Sequence, residues 1–373
     1  MDSPSILEKV ISSKKSSEIE QFHPSEVVSA LFKNLLPREE DVLRRRFGLG
    51  GRPEETLEQI GEAYKVTRER IRQIESTAVK KLKKIRNFVD TIGPVENTIS
   101  SVLEQHGGIM DEELLLRYVL QVAGDNEQNR RAVHFILQEL LDSKFRKIKE
   151  NKRYRSSWQL RSISLHLLDE TIEKIIAVIR EIGKPIIFSD LMNKVIQDPF
   201  FTEHQHQLTE DTIHAYLEVS QHIGKNPYGE YGLVEWGSIT PRRMNDKIYL
   251  VLKKRGKPMH FSEITAMIND MNFDHRKAYP PTVHNELILN KEYVLIGRGI
   301  YALKEWGYRS GVVADVISDV LHKAERPMSR AEIVAKVLEQ RIVKKNTIYL
   351  ALTDKSRFTK NANGLYVVAE NTV

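Results

Sequence analysis

The sequence predicts a mainly α chain: a helix-turn-helix domain followed by four tandem winged-helix modules, each of three helices and a β-hairpin. Three observations carry this. Apolar residues recur at helical spacing along most of the 373 residues. Between Thr56 and Glu75, two short helical patterns are separated by Lys65 and Val66 alone. The stretch "GKPIIFSDL" at 183–191 returns as "GKPMHFSEI" at 256–264 and "ERPMSRAEI" at 325–333, with "GGIMDEELL" at 107–115 a looser copy. The expected partition is a flexible segment over 1–22, the helix-turn-helix over 23–90, and modules over 94–161, 166–239, 244–308 and 311–370.

The first elements can be read in order. "SEVVSALFKNLL" is amphipathic and reads as packing helix rather than partner site. In "PREEDVLRRRFGL", Pro37 suits a first helical turn and Gly48 an end, while Val42, Leu43 and Phe47 form a covering stripe. "TLEQIGEAYK" has Thr56 and Gln59 at capping-box spacing, with Leu57, Ile60 and Tyr64 on one face. Gly61 there permits close approach of another helix. The turn glycine common in this motif is absent, since Lys65 stands in its place.

The next helix is "VTRERIRQIE". Thr67 is placed to N-cap it, so it should start near Arg68. At about 100° per residue, Ile71, Ile74 and Ala78 share one face, and Arg68, Glu69, Arg72 and Gln73 share another. A solvated charged face is the bland reading of such a helix. The sharper one is base recognition: Arg pairs with guanine O6/N7, Glu accepts from cytosine N4, and Gln suits adenine. "KKLKKIRN" closes the segment as a basic run, and Leu36 to Asp90 carry 14 Lys/Arg against 10 Asp/Glu. That is most of the chain's net charge of +6, and with a pI near 9.1 it leans toward nucleic acid. Lys80, Lys81, Lys83 and Lys84, with Thr67 and Arg70, are the expected phosphate contacts.

Over about 50 residues, from "LPREEDVLRRRFGLGGRPEETLEQ" through "VKKLKK", the chain resembles region 4 of the primary sigma factors of bacterial RNA polymerase. The resemblance implies recognition of a promoter −35 element and docking on the flap of the polymerase β subunit. It also implies that Arg68, Glu69, Arg72 and Gln73 contact bases or adjacent phosphates. Nothing in the chain resembles sigma region 2, which captures the melted −10 element.

Each repeat opens with an amphipathic helix such as "TIEKIIAVIREI" and carries a third helix of shared pattern: "RAVHFIL", "DTIHAYL", "PTVHNEL", "NTIYLAL". Each then ends in a hairpin, with turns at Gly297-Arg298-Gly299 in the third and Asn363-Gly364 in the fourth. Trp158, Trp236 and Trp306 fall at nearly the same place in three repeats and read as plugs between hairpin and helices. The third repeat, Asn245 to Tyr308, resembles the HARE-HTH family, found in the delta subunit of bacterial RNA polymerase, in chromatin proteins and fused to restriction enzymes. The others match it less well.

Other chemistry finds little support. There is no cysteine, hence no disulfide, thiol nucleophile or thiolate metal site. His204, His206, His214 and His222 cluster, but His214 recurs as His134 and His284 and belongs to the repeat, so no metal and no cofactor are expected. Asp142, Glu150 and Lys152 have nuclease-like chemistry but flank a predicted wing. No phosphate-cradling glycine loop or nucleophile elbow occurs, and no small-molecule substrate is evident, so an enzyme is not expected. Neither a secretory leader nor an apolar run long enough to span a membrane is evident, which predicts a cytoplasmic protein. The reading is a sequence-specific DNA-binding transcription factor, with double-stranded DNA as partner and RNA polymerase core as a second. The alternative is a DNA-recognition or scaffold subunit of a restriction or phage-defence system.

Overall fold

The structure, a computed structural model, describes residues 23–274, 276–308 and 311–369; the segment 1–22 read as flexible, and the final residue of the expected fourth module, lie outside them. It is mainly helical with small sheets. The chain divides into two compact units. One holds the described residues up to Gly224 with Tyr231–Val234, and the other holds Lys225–Glu230 with Glu235 onward.

The first unit opens with α1 (Pro24–Phe32) and α2 (Pro37–Arg46), each begun by a proline whose missing N–H costs nothing there. Then come α3 (Leu57–Tyr64) and α4 (Arg68–Lys83). The next helix, α5 (Phe88–Gln105), runs through the expected boundary at 90–94 with Pro94 inside it. After β1 (Ile109–Asp111) follow α6 (Glu112–Ala123) and α7 (Glu127–Phe135), the last continued by a π turn over Ile136–Leu140. A hairpin of β2 (Phe145–Ile148) and β3 (Ser157–Leu160) takes β1 as a third strand, in the order β1-β3-β2.

The expected boundary also fails to separate two cores. Leu31, Phe32, Leu43, Val79 and Leu82 from α1, α2 and α4 lie in one buried cluster with Ile92, Val95, Leu115, Val133 and Phe135. Phe135 packs edge-on to Phe32 and Phe47, with ring centroids 5.6 and 4.9 Å away. Arg131 on α7 donates to the backbone oxygens of Gly48 (3.1 Å) and Arg52 (2.6 Å). A segment of some 60 residues buries too little surface to be robust alone, and here its apolar side is completed by the next repeat.

Next come α8 (His166–Ile182), β4 (Ile186–Ile187), α9 (Phe188–Val195), the short α10 (Pro199–Glu203), α11 (Glu210–Val219) and a hairpin of β5 (Ile223–Lys225) and β6 (Glu230–Leu233), of which Lys225–Glu230 count with the second unit. α11 lies against the previous repeat: Tyr216 donates to the Gly107 oxygen at 3.2 Å, and a Cβ at Gly107 would sit 2.6 Å from Thr212 Cγ2.

The second unit repeats the order. It has α12 (Met244–Arg255), β7 (Met259–His260), α13 (Phe261–Met271), α14 (Pro280–Leu289), β8 (Tyr293–Gly297) and β9 (Ile300–Leu303), with sheet order β7-β9-β8. It ends with α15 (Val313–Ala324), α16 (Arg330–Gln340), α17 (Lys345–Ala351) and the hairpin β10 (Phe358–Lys360) and β11 (Tyr366–Val368). Gly299 and Gly364 take the positive φ, +66° and +74°, that their hairpin turns require.

The repeated "GKP" stretch becomes a short strand that pairs with the hairpin and then enters a helix. In the three copies that carry a methionine, it faces an aromatic residue: Met110 opposite Trp158, Met259 opposite Tyr301, and Met328 opposite Tyr366 through an isolated bridge; the second copy has Ile186 instead. This corrects the tryptophan alignment. Trp158 lies within a strand and is buried, whereas Trp306 sits in a 3-10 turn beyond β9 and is half-buried, as Trp236 is past β6. The counterparts of Trp158 in the third and fourth repeats are Tyr301 and Tyr366, not the other tryptophans.

Candidate nucleic-acid interface

The geometry of the exposed end of α4 is set by the turn before it. Thr56 caps α3 reciprocally: its N–H donates to Gln59 Oε1 (2.8 Å) and its hydroxyl accepts from Gln59 N (3.3 Å). The helix stops at Lys65, held in the left-handed region at φ 55° and ψ 42°, where a glycine would pay no Cβ penalty. Val66 then donates back to the Gly61 oxygen at 2.9 Å. Gly61 is needed for this turn rather than for a neighbouring helix, because a Cβ there would lie 2.8 Å from the Val66 oxygen. Gly61→Ala is therefore expected to open the turn and cost about 1–3 kcal/mol, seen as a lower denaturation midpoint and lost amide protection at the start of α4. An unchanged midpoint would show the turn to be more yielding than its geometry implies.

α4 begins at Arg68 as expected, with the Thr67 hydroxyl accepting from Arg70 N at 3.2 Å. Ile71 packs with Val42 and Ile60 in a small separate core bordered by Tyr64, Val66 and Ile74. That core fixes which face remains outside: Arg68, Glu69, Arg70, Arg72 and Gln73 are all exposed. Glu69 and Arg72 pair through two bonds of 2.8 and 2.7 Å, and the hydrogen bond from Arg72 holds the Glu69 carboxyl below its usual range. Arg70 donates to Gln73 Oε1 at 3.3 Å. Such exposed pairs contribute little in water and exchange readily for other partners. The Arg68 side chain makes no hydrogen bond or ion pair among the described residues.

Four lysines of the basic run divide in two. Lys80 and Lys84 are exposed and make no ion pair among the described residues. Lys81 pairs with Glu39 on α2, and Lys83 with Asp142 beyond α7. The two inward-tied lysines brace α4 rather than standing as free cations.

A second network holds α2 to α3. Tyr64 donates to Asp41 at 2.6 Å, Arg45 lies 3.2 Å from the same carboxylate, and Arg52 also pairs with it. Burial alone would raise Asp41, but the hydrogen bonds from Tyr64 and Arg52 keep it below the usual range. Burial pushes Glu75 up, although Arg46 stands 3.8 Å away.

The other candidate groups do not converge. His204 bonds the backbone oxygen of Phe200, and among the described residues no group of three or more His, Asp and Glu is placed to hold a metal. Asp142 is paired with Lys83, while Glu150 accepts from Gln221 at 2.8 Å. No helix among the described residues is long and apolar enough to cross a membrane.

Residues 31–84 match the family model for Sigma-70, region 4. Over 72 residues the chain is 44% identical to RNA polymerase sigma factor RpoD of Neisseria gonorrhoeae, a match covering 18% of this chain and 11% of that protein. Over 66 residues it is 48% identical to sigma factor SigA of Clostridium acetobutylicum, covering 16% and 18%. It is 53% identical over 58 residues to SigA of Lactococcus lactis subsp. cremoris, covering 16% of each. The chain thus spans less than a fifth of the length of these curated relatives, and the family-model match runs from the end of α1 to the end of α4.

Proposed function

We propose that the chain is a sequence-specific DNA-binding transcription factor that reads a −35-like promoter element through α4 and contacts RNA polymerase core. The observation that supports this reading is the exposed set Arg68, Glu69, Arg72 and Gln73 at the capped start of α4, within the segment most similar to sigma factors. A recognition helix presents that end to base edges. Thr67, Arg70, Lys80 and Lys84 serve phosphates, and Lys81 and Lys83 join them by exchanging their carboxylate partners. The four repeats act as winged helices, the third of HARE-HTH type, in a non-enzymatic cytoplasmic protein.

The repeats do not all serve DNA. Ala132 on α7 and Thr212 on α11 are buried, whereas their counterparts Thr282 on α14 and Thr347 on α17 are exposed. With their third helices covered, the first two repeats form a scaffold that rigidifies the helix-turn-helix.

Arg72→Ala is expected to reduce discrimination between a −35-like duplex and a scrambled one by roughly ten- to a hundredfold. Lys84→Ala should weaken both duplexes alike and lower the salt slope by about one unit. Titration of both duplexes at several salt concentrations checks this. Full retention of the specificity ratio in Arg72→Ala would return α4 to the status of a solvated charged helix.

The resemblance covers region 4 alone. Core polymerase supplied with this chain and no sigma factor is therefore expected to be retained in a pull-down yet to leave promoter thymines unreactive to permanganate. A bubble at a −10 element would overturn that part of the reading.

A further inference from the structure

In the second unit, the outer side of β8, the start of α15 and the later part of α17 line a groove of about 780 Å³. That is within the usual range for a small-molecule site. Its walls are largely apolar, with Leu295, Val312 and Leu350 all exposed, and Leu350 is 72% exposed. Apolar side chains gathered around a concavity and left to water mark a binding surface more often than a packing accident.

The groove also contains a buried cation. Arg341 lines it and is only 5% exposed. Its terminal nitrogens donate to the backbone oxygens of Leu295 and Gly311, one on each wall, while its Nε has no partner. No carboxylate among the described residues accepts a hydrogen bond from it. Asp315, whose charge acts on Arg341, is bound to Arg357 at 2.7 Å and to Val312 N at 2.8 Å. Burial pushes the Arg341 guanidinium below its ordinary value, yet a guanidinium stays charged in a protein. A buried charge without a counter-ion is costly, and an unsatisfied buried N–H calls for an acceptor.

The groove does not suit an extended peptide. Such a peptide would add to the free edge of β8. That edge is already occupied: Leu295 O takes Arg341, Ile296 O takes Ile342 N at 2.9 Å, and a Cβ at Gly297 would meet Ile342 O at 2.7 Å. What remains is a largely apolar wall around Arg341, with Arg298 and Asp354 also lining it; one oxygen of Asp354 is occupied by Ser356.

We infer that this groove binds a small apolar carboxylate, its hydrocarbon body against Leu295, Val312 and Leu350 and its anionic end on Arg341. The site is independent of the DNA reading. Its test is calorimetric titration of the full chain with dodecanoate, dodecanol and dodecyltrimethylammonium, each below its micelle concentration. Dodecanoate should saturate a single site and bind at least about tenfold more tightly than either comparator. Leu350→Asp, at an exposed position, should abolish dodecanoate binding by placing a like charge in the groove while leaving the melting curve unchanged. Arg341→Met should bring dodecanoate down to the affinity of dodecanol; because it also removes two backbone contacts, Leu350→Asp carries the test if that variant does not fold. Equal binding of the three amphiphiles, no saturable dodecanoate binding, or unchanged affinity in Leu350→Asp would each overturn the site. So would capture of an acidic apolar peptide by a groove that ignores dodecanoate.

Discussion

Phe135→Ala is expected to destabilise the first unit by about 3–5 kcal/mol and to loosen α4 along with it. Phe135 is fully buried and lies on α7, some 50 residues beyond the segment that matches the sigma-factor model. Its ring nevertheless closes against Phe32, the last residue of α1, and Phe47, which follows the end of α2. Removing it leaves a cavity at the seam between two segments that share one core. The measurement is amide exchange of α4 during denaturant titration. Protection there should fall in parallel with that of α5 and α7. A fragment of residues 23–90 should show no cooperative melt, because Leu31, Phe32, Val79 and Leu82 would lose their cover. Unchanged protection of α4 in Phe135→Ala, or a cooperative transition in the fragment, would show that the helix-turn-helix stands alone.

The same core bears on partners. The apolar side of α1, α2 and the second half of α4 is closed by α5 and α7, so a protein docking on this segment meets polar surface instead. Arg131 ties the loop after α2 from the same direction. The exposed surface of the segment therefore includes the charged start of α4, Lys80 and Lys84 near its end, and Arg52 beside the half-buried Asp41 and Arg45.

Local features of this region were legible because they depend on neighbouring residues. The caps at Thr56 and Thr67 and the buried faces of α3 and α4 follow from spacing within one or two turns. The left-handed Lys65 was legible only as a missing glycine, since lysine carries no signal for that conformation. The hairpin turns at Gly299 and Gly364 were likewise written in residue type. What was not legible depends on distant partners. Nothing near Lys83 indicates that Asp142, 59 residues away, will take its charge. Nothing in "VENTISSVLEQH" shows that its helix starts at Phe88 and carries the preceding core into the next repeat. A boundary drawn from composition falls where charge changes, whereas a core closes where side chains meet. Strand register failed for a similar reason: tryptophan is rare enough to invite alignment, but pairing aligns backbones. In the sheet the constant partner of the methionine is an aromatic ring of either kind.

That register sets the second large effect: Trp158→Ala should cost about 3–5 kcal/mol, and Trp306→Ala distinctly less. Trp158 is 2% exposed, opposite Met110 in the middle of its sheet. Its indole N–H donates to Glu112 Oε1 at 3.1 Å, where Lys147 also bonds at 2.8 Å, and Ser156 bonds Oε2 at 2.8 Å. Burial alone would raise Glu112, and the bonds from Lys147 and Ser156 hold it low instead. The alanine variant would lose the ring and leave this half-buried carboxylate short of one donor. Trp306 is half-buried at the margin of two small clusters, so less apolar surface is returned to water there. Trp158→Tyr should be the best tolerated change, because tyrosine holds the matching strand position at Tyr301 and Tyr366. Thermal melts of the three variants, with duplex affinity measured where each is folded, separate the readings. The expected order of stability is Trp158→Tyr, then Trp306→Ala, then Trp158→Ala, with affinity unchanged. If Trp306→Ala melts like the parent but loses duplex affinity, that ring stacks on nucleic acid. If Trp158→Ala melts no lower than Trp306→Ala, the strand register is not what holds the first sheet to its helices.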